Sequence, residues 1–318
     1  MRDATGRELP VVKLADGLEA PSDNLRRYIK TRRLSSIDEI RAVFDELGGD
    51  EWVFRGQADA RWPLRTSLER ATDPRKDSLC SGENDLIDVF KGRAHQFLAS
   101  TPSQEDDLEW LALMQHHGAP TRLLDFTRSP YVALFFALEA APVCSHSAVW
   151  AVNAQGCNDR AEHIISVLKD WHDTGLTESL DRLPMEGWLR EKPCLFRKIL
   201  LSNQFYIVCS VQPHRANERV VQQQSVFLCP GRQRFGQGFE INLLCQLSAG
   251  KMPDYIAPAW NPPQVYRLTI PTSMRADLLW ELERMNINRA TLFPGLDGFA
   301  RSLATRLYLR EWRHARKS

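Results

Sequence analysis

The chain has 318 residues, of which 43% are hydrophobic and 25% charged, enough for a stable core without disulfide or metal staples. A net charge of +1 excludes a global electrostatic case for nucleic acid or an anionic membrane, so any such binding has to come from a local patch. Seven scattered cysteines, never spaced Cys-x-x-Cys, argue against a disulfide framework or a structural zinc site and for a reducing compartment. No apolar run reaches the length of a membrane span and Met1 to Leu14 lack a signal core, so the expectation is a cytoplasmic protein with no membrane partner and no metal.

Residues 1–22 are polar and read as a flexible segment ahead of one domain over 23–318. Ser36 and Glu39 have capping-box spacing, and Ile37, Ile40, Val43, Phe44 and Leu47 follow on one helical face up to Gly48-Gly49. Glu51 to Gln57 predicts a strand followed by a turn, with Arg55 as the polar intrusion. Leu86–Leu98 and Leu108–Met114 read as amphipathic helices. His116 to Pro120 is a Gly- and Pro-broken turn, Thr121 to Phe126 a short strand. Ser129-Pro130 then opens a helix, with Ser as N-cap and Pro at the first helical position. From Tyr131 to Leu138 that helix is apolar nearly all round and should be buried.

Ala148–Val152 is a strand, and the mixed polar run 155–195, with a helix over Ala161–Trp171, reads as an insertion. Phe205–Cys209, Val226–Cys229, Ile241–Cys245 and Val265–Ile270 are predicted strands, with a Pro-rich loop at 253–263. Thr272 or Ser273 caps a helix to Met285, and Leu296–Trp312 closes the chain. Strands and helices interleave without a regular βαβ rhythm, so the class is α+β with a mixed sheet and flanking helices.

The chemistry gathers at a few points. Arg55 at the end of an apolar strand, followed by Gly56, can turn its planar fork toward a phosphate or carboxylate, or close on an acid such as Asp125. Of the pair His116-His117, one can serve in hydrogen bonding or proton transfer; packing explains it equally. Asp125, Thr127 and Ser129 bracket a strand-to-helix junction, where capping alone accounts for Ser129. Glu218 and Gln222-Gln223-Gln224 precede an apolar strand. The last helix carries Arg301, Arg306, Arg310, Arg313, Arg316 and Lys317, which can meet phosphates or simply favour a helix C-terminus.

These residues carry a resemblance. Trp52-Val53-Phe54-Arg55-Gly56-Gln57 resembles the opening signature of the FRG domain, and Gln115 to Thr127 with Pro130 and Ala133–Ala137 resembles its central block. Arg219, Gln223 and Phe227 match a third block, in which Ser225 stands where Gly is expected, and Ile287 to Gly298 resembles the closing one. Together the blocks span roughly residues 36 to 312. More distantly, the order Arg55, Thr127-x-Ser129, Gln222-x-Gln224 is similar to that of arginine-type ADP-ribosyltransferases.

The likeness implies a nucleotide pocket, with NAD as substrate and ADP-ribosyl transfer or NAD cleavage as the activity, in a toxin or defence setting. It implies a site of Arg55, His117, Asp125, Thr127, Glu218 and Gln223, with Gln57, Arg122 and Ser129 beside Arg55 and Thr127 in holding the ligand. Cleaving the nicotinamide–ribose bond builds an oxocarbenium-like centre that wants a carboxylate. Gln is neutral, so Glu218 or Asp125 has to supply it. The acceptor would be a protein or nucleic acid. The alternative is a module that binds nucleotide or nucleic acid without catalysis.

Overall fold

The structure is a computed structural model and describes residues 28–72, 79–141, 145–166, 192–214, 218–233, 238–247 and 264–316, with Gly187 and Leu189. The segment 1–22, the Pro-rich loop 253–263 and most of 167–191 lie outside the described residues. Seven strands form one curled sheet: β1 (Ile29–Arg33), β2 (Trp52–Gln57), β3 (Leu124–Thr127), β4 (His146–Asn153), β5 (Val208–Val211), β6 (Ser225–Pro230) and β7 (Val265–Pro271). Their order is β1-β7-β4-β2-β3-β6-β5, antiparallel except for the parallel β1–β7 pair. The fold is α+β, as the interleaved pattern predicts.

The helices are α1 (Ile37–Glu46), α2 (Ser67–Ala71), α3 (Leu79–Ala94), α4 (Asp107–His116), α5 (Pro130–Glu139), α6 (Ala154–Ser166), α7 (Pro193–Phe196), α8 (Glu218–Gln222), α9 (Phe239–Leu247), α10 (Arg275–Arg284), α11 (Arg289–Leu292) and α12 (Leu296–Ala315). Helix α5 begins as its sequence dictates: Ser129 Oγ accepts from the Val132 amide at 3.3 Å, and Pro130 takes the first turn. It packs on the middle of the sheet with Trp52, Phe54, Val149, Leu268 and α10. Gly56 makes that packing possible. A Cβ there would stand 2.5 Å from the Ala137 amide nitrogen and closer still to the Ala133 carbonyl oxygen.

The opposite face buries Val53, Trp150, Leu228 and α9. A third apolar cluster joins α4, α6 and α7 to β5 and β6. Residues 154–166 are therefore part of the packed body, since Cys157, Ala161 and Ile165 are buried, and their helix starts earlier than the predicted Ala161.

Ile241–Cys245 is helical, in place of the predicted strand. Every residue of α9 but Glu240 is buried, and the short run Ile241–Cys245, buried on all sides, carries no period to tell helix from strand. Asn242 Nδ2 supplies what the pattern hides, donating to the carbonyls of Arg232 at 2.7 Å and Gly238 at 2.8 Å. Strand β1, Ile-Lys-Thr-Arg-Arg, is an edge strand whose charges mask it, with Arg32 forked onto Glu46 at 2.5 and 2.8 Å. The turn before β3 is longer than predicted even though α4 runs on to His116, because β3 begins at Leu124 and not at Thr121, and Gly118 takes φ 85° within that turn.

Candidate functional site

The sheet parts at its centre. β2 pairs with β4 along its full length and β3 with β6 along its full length, whereas β2 and β3 meet in a single registered pair, Phe54 opposite Thr127. Beyond that pair, Arg55-Gly56-Gln57 and Leu124-Asp125-Phe126 diverge, and a cleft of about 710 Å³ opens between them. The split leaves backbone groups of β3 without a strand partner, and these need hydrogen bonds from elsewhere. Arg55 provides one, with Nη1 donating to the Asp125 carbonyl at 2.6 Å.

The Arg55 side chain is 21% exposed, and its nearer Asp125 carboxylate oxygen is 4.0 Å away. Its Nε is buried with no hydrogen-bond partner among the described residues. Burial lowers the guanidinium's pKa from its ordinary value; Asp125 works against that shift and Arg70 adds to it. Arg65, Arg70 and Arg219 also line the cleft, as do Trp62, Pro63 and Phe136. Asp125, 63% exposed on its side chain, is the one carboxylate among the described residues that line it. Gln115 Nε2 donates to its Oδ1 at 2.7 Å, which fixes the acid at the rim.

The loop that brings Trp62 and Arg65 to the cleft is clamped at both ends. Asp59 accepts from the Arg61 amide, Nε and Nη2 at 2.8, 3.0 and 2.6 Å. Thr66 and Glu69 form a full capping box that starts α2. Trp62 itself is 54% exposed, an aromatic surface held at the edge of a basic hollow.

Other residues singled out by the sequence serve the walls. Gln57 accepts from Trp150 Nε1 at 2.7 Å and donates to the Pro63 carbonyl at 3.2 Å. Thr127 donates to the Gln223 carbonyl at 2.7 Å and accepts from the Ser129 amide at 3.0 Å. The Gln223 amide donates to the Leu292 carbonyl at 2.9 Å. These groups frame the cleft with their hydrogen bonds already made.

Three expected site residues, Arg122, His117 and Glu218, stand outside the cleft. Arg122 is 1% exposed and locked to the equally buried Glu83, with further donation to the carbonyls of Leu200 and Pro230 and to Asn203. Its fork ties α3 to the strands from inside the core, and none of it reaches the cleft. His117, the C-cap of α4, is exposed and does not line the cleft. Its neighbour His116 borders two adjoining hollows, with its pKa lowered first by burial and then by His117 and Arg219. Glu218 lines one of those hollows and not the Arg55 cleft.

Trp62, Arg65 and Arg70 were not singled out by the sequence reading. The signal that could have found Trp62 and Arg65 is the run Arg61-Trp62-Pro63-Leu64-Arg65, an aromatic among basic residues in a Pro-containing turn shortly after the strand of Arg55. On α12, Arg313 lies over the Trp280 ring at 4.4 Å and Arg316 pairs with Asp277 at 2.7 Å, so part of its basic character is spent on packing. Among the described residues no three of His, Cys, Asp and Glu gather as a metal site, and no helix is long and apolar enough to cross a membrane.

Residues 50–143 match the family model of the FRG domain, and the chain carries that domain. The matched stretch runs from the residue before Glu51 to just past α5, so it holds Arg55, Gly56, the Trp62 loop, Asp125 and Thr127. The blocks around Arg219 and Ile287 lie outside it. No curated protein and no solved structure matches the chain.

Proposed function

We propose that this FRG-domain protein binds a phosphorylated, base-bearing small molecule, a nucleotide, in the split between β2 and β3. The observation that carries the reading is the composition of one cleft: among the described residues that line it are four guanidiniums, from Arg55, Arg65, Arg70 and Arg219, and an exposed Trp62, against a single carboxylate. Planar forks suit phosphate oxygens, and a half-exposed indole suits a base. Arg55 is the anchor, because its buried Nε lacks a partner among the described residues and its charge is only loosely met by Asp125.

NAD cleavage is the finer reading. In it the glycosidic bond breaks with its electron pair leaving on the nicotinamide nitrogen. The ribose cation faces Asp125, and water adds to the anomeric carbon while giving its proton to solvent or to that carboxylate. Asp125 is favoured over Glu218 because it alone lines the Arg55 cleft. Thr127 and Gln223 then act as positioning residues, since their side-chain groups are already bonded to Gln223 and Leu292 backbone oxygens.

Calorimetric titration of the purified chain with ADP tests the binding. Saturable heat in the wild type, lost in Arg55→Ala with the fold intact, is the expected result. Equal affinity in both would remove the reading. Nicotinamide release from NAD, lost in Asp125→Asn while ADP binding persists, tests the finer step.

A further inference from the structure

Helix α12 buries one side and leaves the other bare. Gly298, Ser302 and Leu309 turn it toward the body of the protein. Away from the body, Leu296, Phe299, Leu303 and Leu307 follow one another three or four residues apart and so share one face of the helix. They are 79%, 48%, 47% and 58% exposed. Ala300 and Ala304 lie exposed among them. Single apolar side chains are ordinary on a protein surface, whereas a continuous stripe marks a docking face.

The charges beside the stripe are sorted by edge. In a heptad reading, Leu296 and Leu303 take the d positions, and Ala300 and Leu307 the a positions. Arg306 and Arg313 then fall on the g edge, Asp297 and Glu311 on the e edge. Arg313 is occupied by the Trp280 ring, but Arg306 and Glu311 are exposed and make no ion pair among the described residues. Two parallel helices set each g residue beside the e residue five positions further on in the partner. Arg306 of each copy would therefore meet Glu311 of the other, twice about the two-fold axis. An antiparallel pair would instead bring Asp297 against Glu311, like charge on like. Past Leu307 the seam ends, because Arg310 and His314 take the next d and a positions and would meet their own counterparts.

We infer that α12 is a homodimer seam, in which the Leu296–Leu307 stripe packs in parallel on the same stripe of a second copy and Arg306–Glu311 pairs close its edges. A second copy is the occupant this face specifies, since the face carries both members of the charge pair at the spacing that matches them. Four large apolar side chains per copy fall short of the roughly 800 Å² that each partner gives to a standard interface, so the association is reversible. The inference does not depend on the nucleotide reading of the Arg55 cleft.

Sedimentation velocity of the full chain at rising concentration tests the seam. The wild type is expected to pass from monomer to dimer in the micromolar range, and Leu303→Glu to stay monomeric. Arg306→Glu and Glu311→Arg should each weaken the dimer about tenfold, because two attractive pairs become repulsive. The double variant Arg306→Glu, Glu311→Arg exchanges the two signs and should return the wild-type affinity. A wild type that stays monomeric through the micromolar range overturns the inference, as does a dimer that survives Leu303→Glu. Single reversals without effect, or a double variant as weak as the singles, overturn the parallel register and with it the pairing.

Discussion

Arg55 reaches across the split in the sheet to the backbone carbonyl of Asp125 at 2.6 Å, and not to its carboxylate, which stays 4.0 Å away. The guanidinium is thus held in place by a neutral acceptor while most of its charge remains available. A strand arginine closed on its acid would be a staple. This one is positioned and left open toward a cleft that holds three more arginines.

Replacing Arg55 separates fork from charge. Arg55→Ala should weaken ADP binding by roughly 10- to 100-fold, the range for losing charge-assisted hydrogen bonds of about 1.5–3 kcal/mol. Arg55→Lys should recover only a small part, since an ammonium cannot present two parallel donors. Calorimetry on both variants checks this, and full rescue by Lys would show that charge alone matters.

The Glu83–Arg122 pair should behave in the opposite way. Both side chains are 1% exposed, and removing one strands the other in the core. Glu83→Ala is expected to lower unfolding free energy by about 3–5 kcal/mol in urea denaturation. ADP affinity of the protein that remains folded should be unchanged, because Arg122 lies away from the cleft. A selective loss of ligand binding at unchanged stability would return Arg122 to the site.

Gly56 tests the packing that sets β2 against α5. Gly56→Ala drives a methyl into the Ala133 and Ala137 backbone, which a flexible side chain cannot relieve. Overpacking of this kind costs about 1–3 kcal/mol, occasionally more. The midpoint of thermal unfolding should fall accordingly, and an unaltered midpoint would show that the two elements are not tightly apposed.

Much of the fold was legible in chain order. Arg55, Gly56 and the Ser129-Pro130 helix start announce themselves because each is an exception to its local pattern: a charge in an apolar strand, a missing side chain, a fixed first turn. Helix α9 was not legible, since burial on every side erases its period, and β1 was hidden by the charges an edge strand can carry. The site divided along similar lines. Asp125 and Arg55 do come together, but spacing could not show that the Thr127 and Gln223 groups are consumed by the cleft's own frame, or that Arg122 turns to Glu83. Arg70 reaches the cleft from the short helix α2, outside the Arg61–Arg65 run, and no short motif foretells it.

The Asp59 clamp gives the Trp62 loop a pH dependence. Arg61 and its amide hold the Asp59 carboxyl down to about 2, below its ordinary 3.8. A carboxyl depressed in the folded state stabilises it fully above the unfolded value and loses that contribution as pH falls from about 4 toward 2. Trp62 emission should change over that window, and Asp59→Asn should abolish the change. Glu69 has the opposite sign: burial raises its pKa, so protonation favours the folded state and stability declines as pH rises through the raised value. A Trp62 transition lying above the ordinary glutamate value of 4.5 would point to Glu69 and away from Asp59.

The claim that Arg55 is the anchor of a phosphate-binding cleft is tested most directly at its own Nε. That atom is buried and without a partner among the described residues, and a bound phosphate oxygen would give it one. Nitrogen-15 NMR of the arginine Nε–H groups, assigned through Arg55→Lys, follows this atom while ADP is added. The account predicts that the Arg55 resonance shifts saturably and most strongly, with the calorimetric affinity. An Arg55 resonance that stays fixed while ADP binds would contradict it.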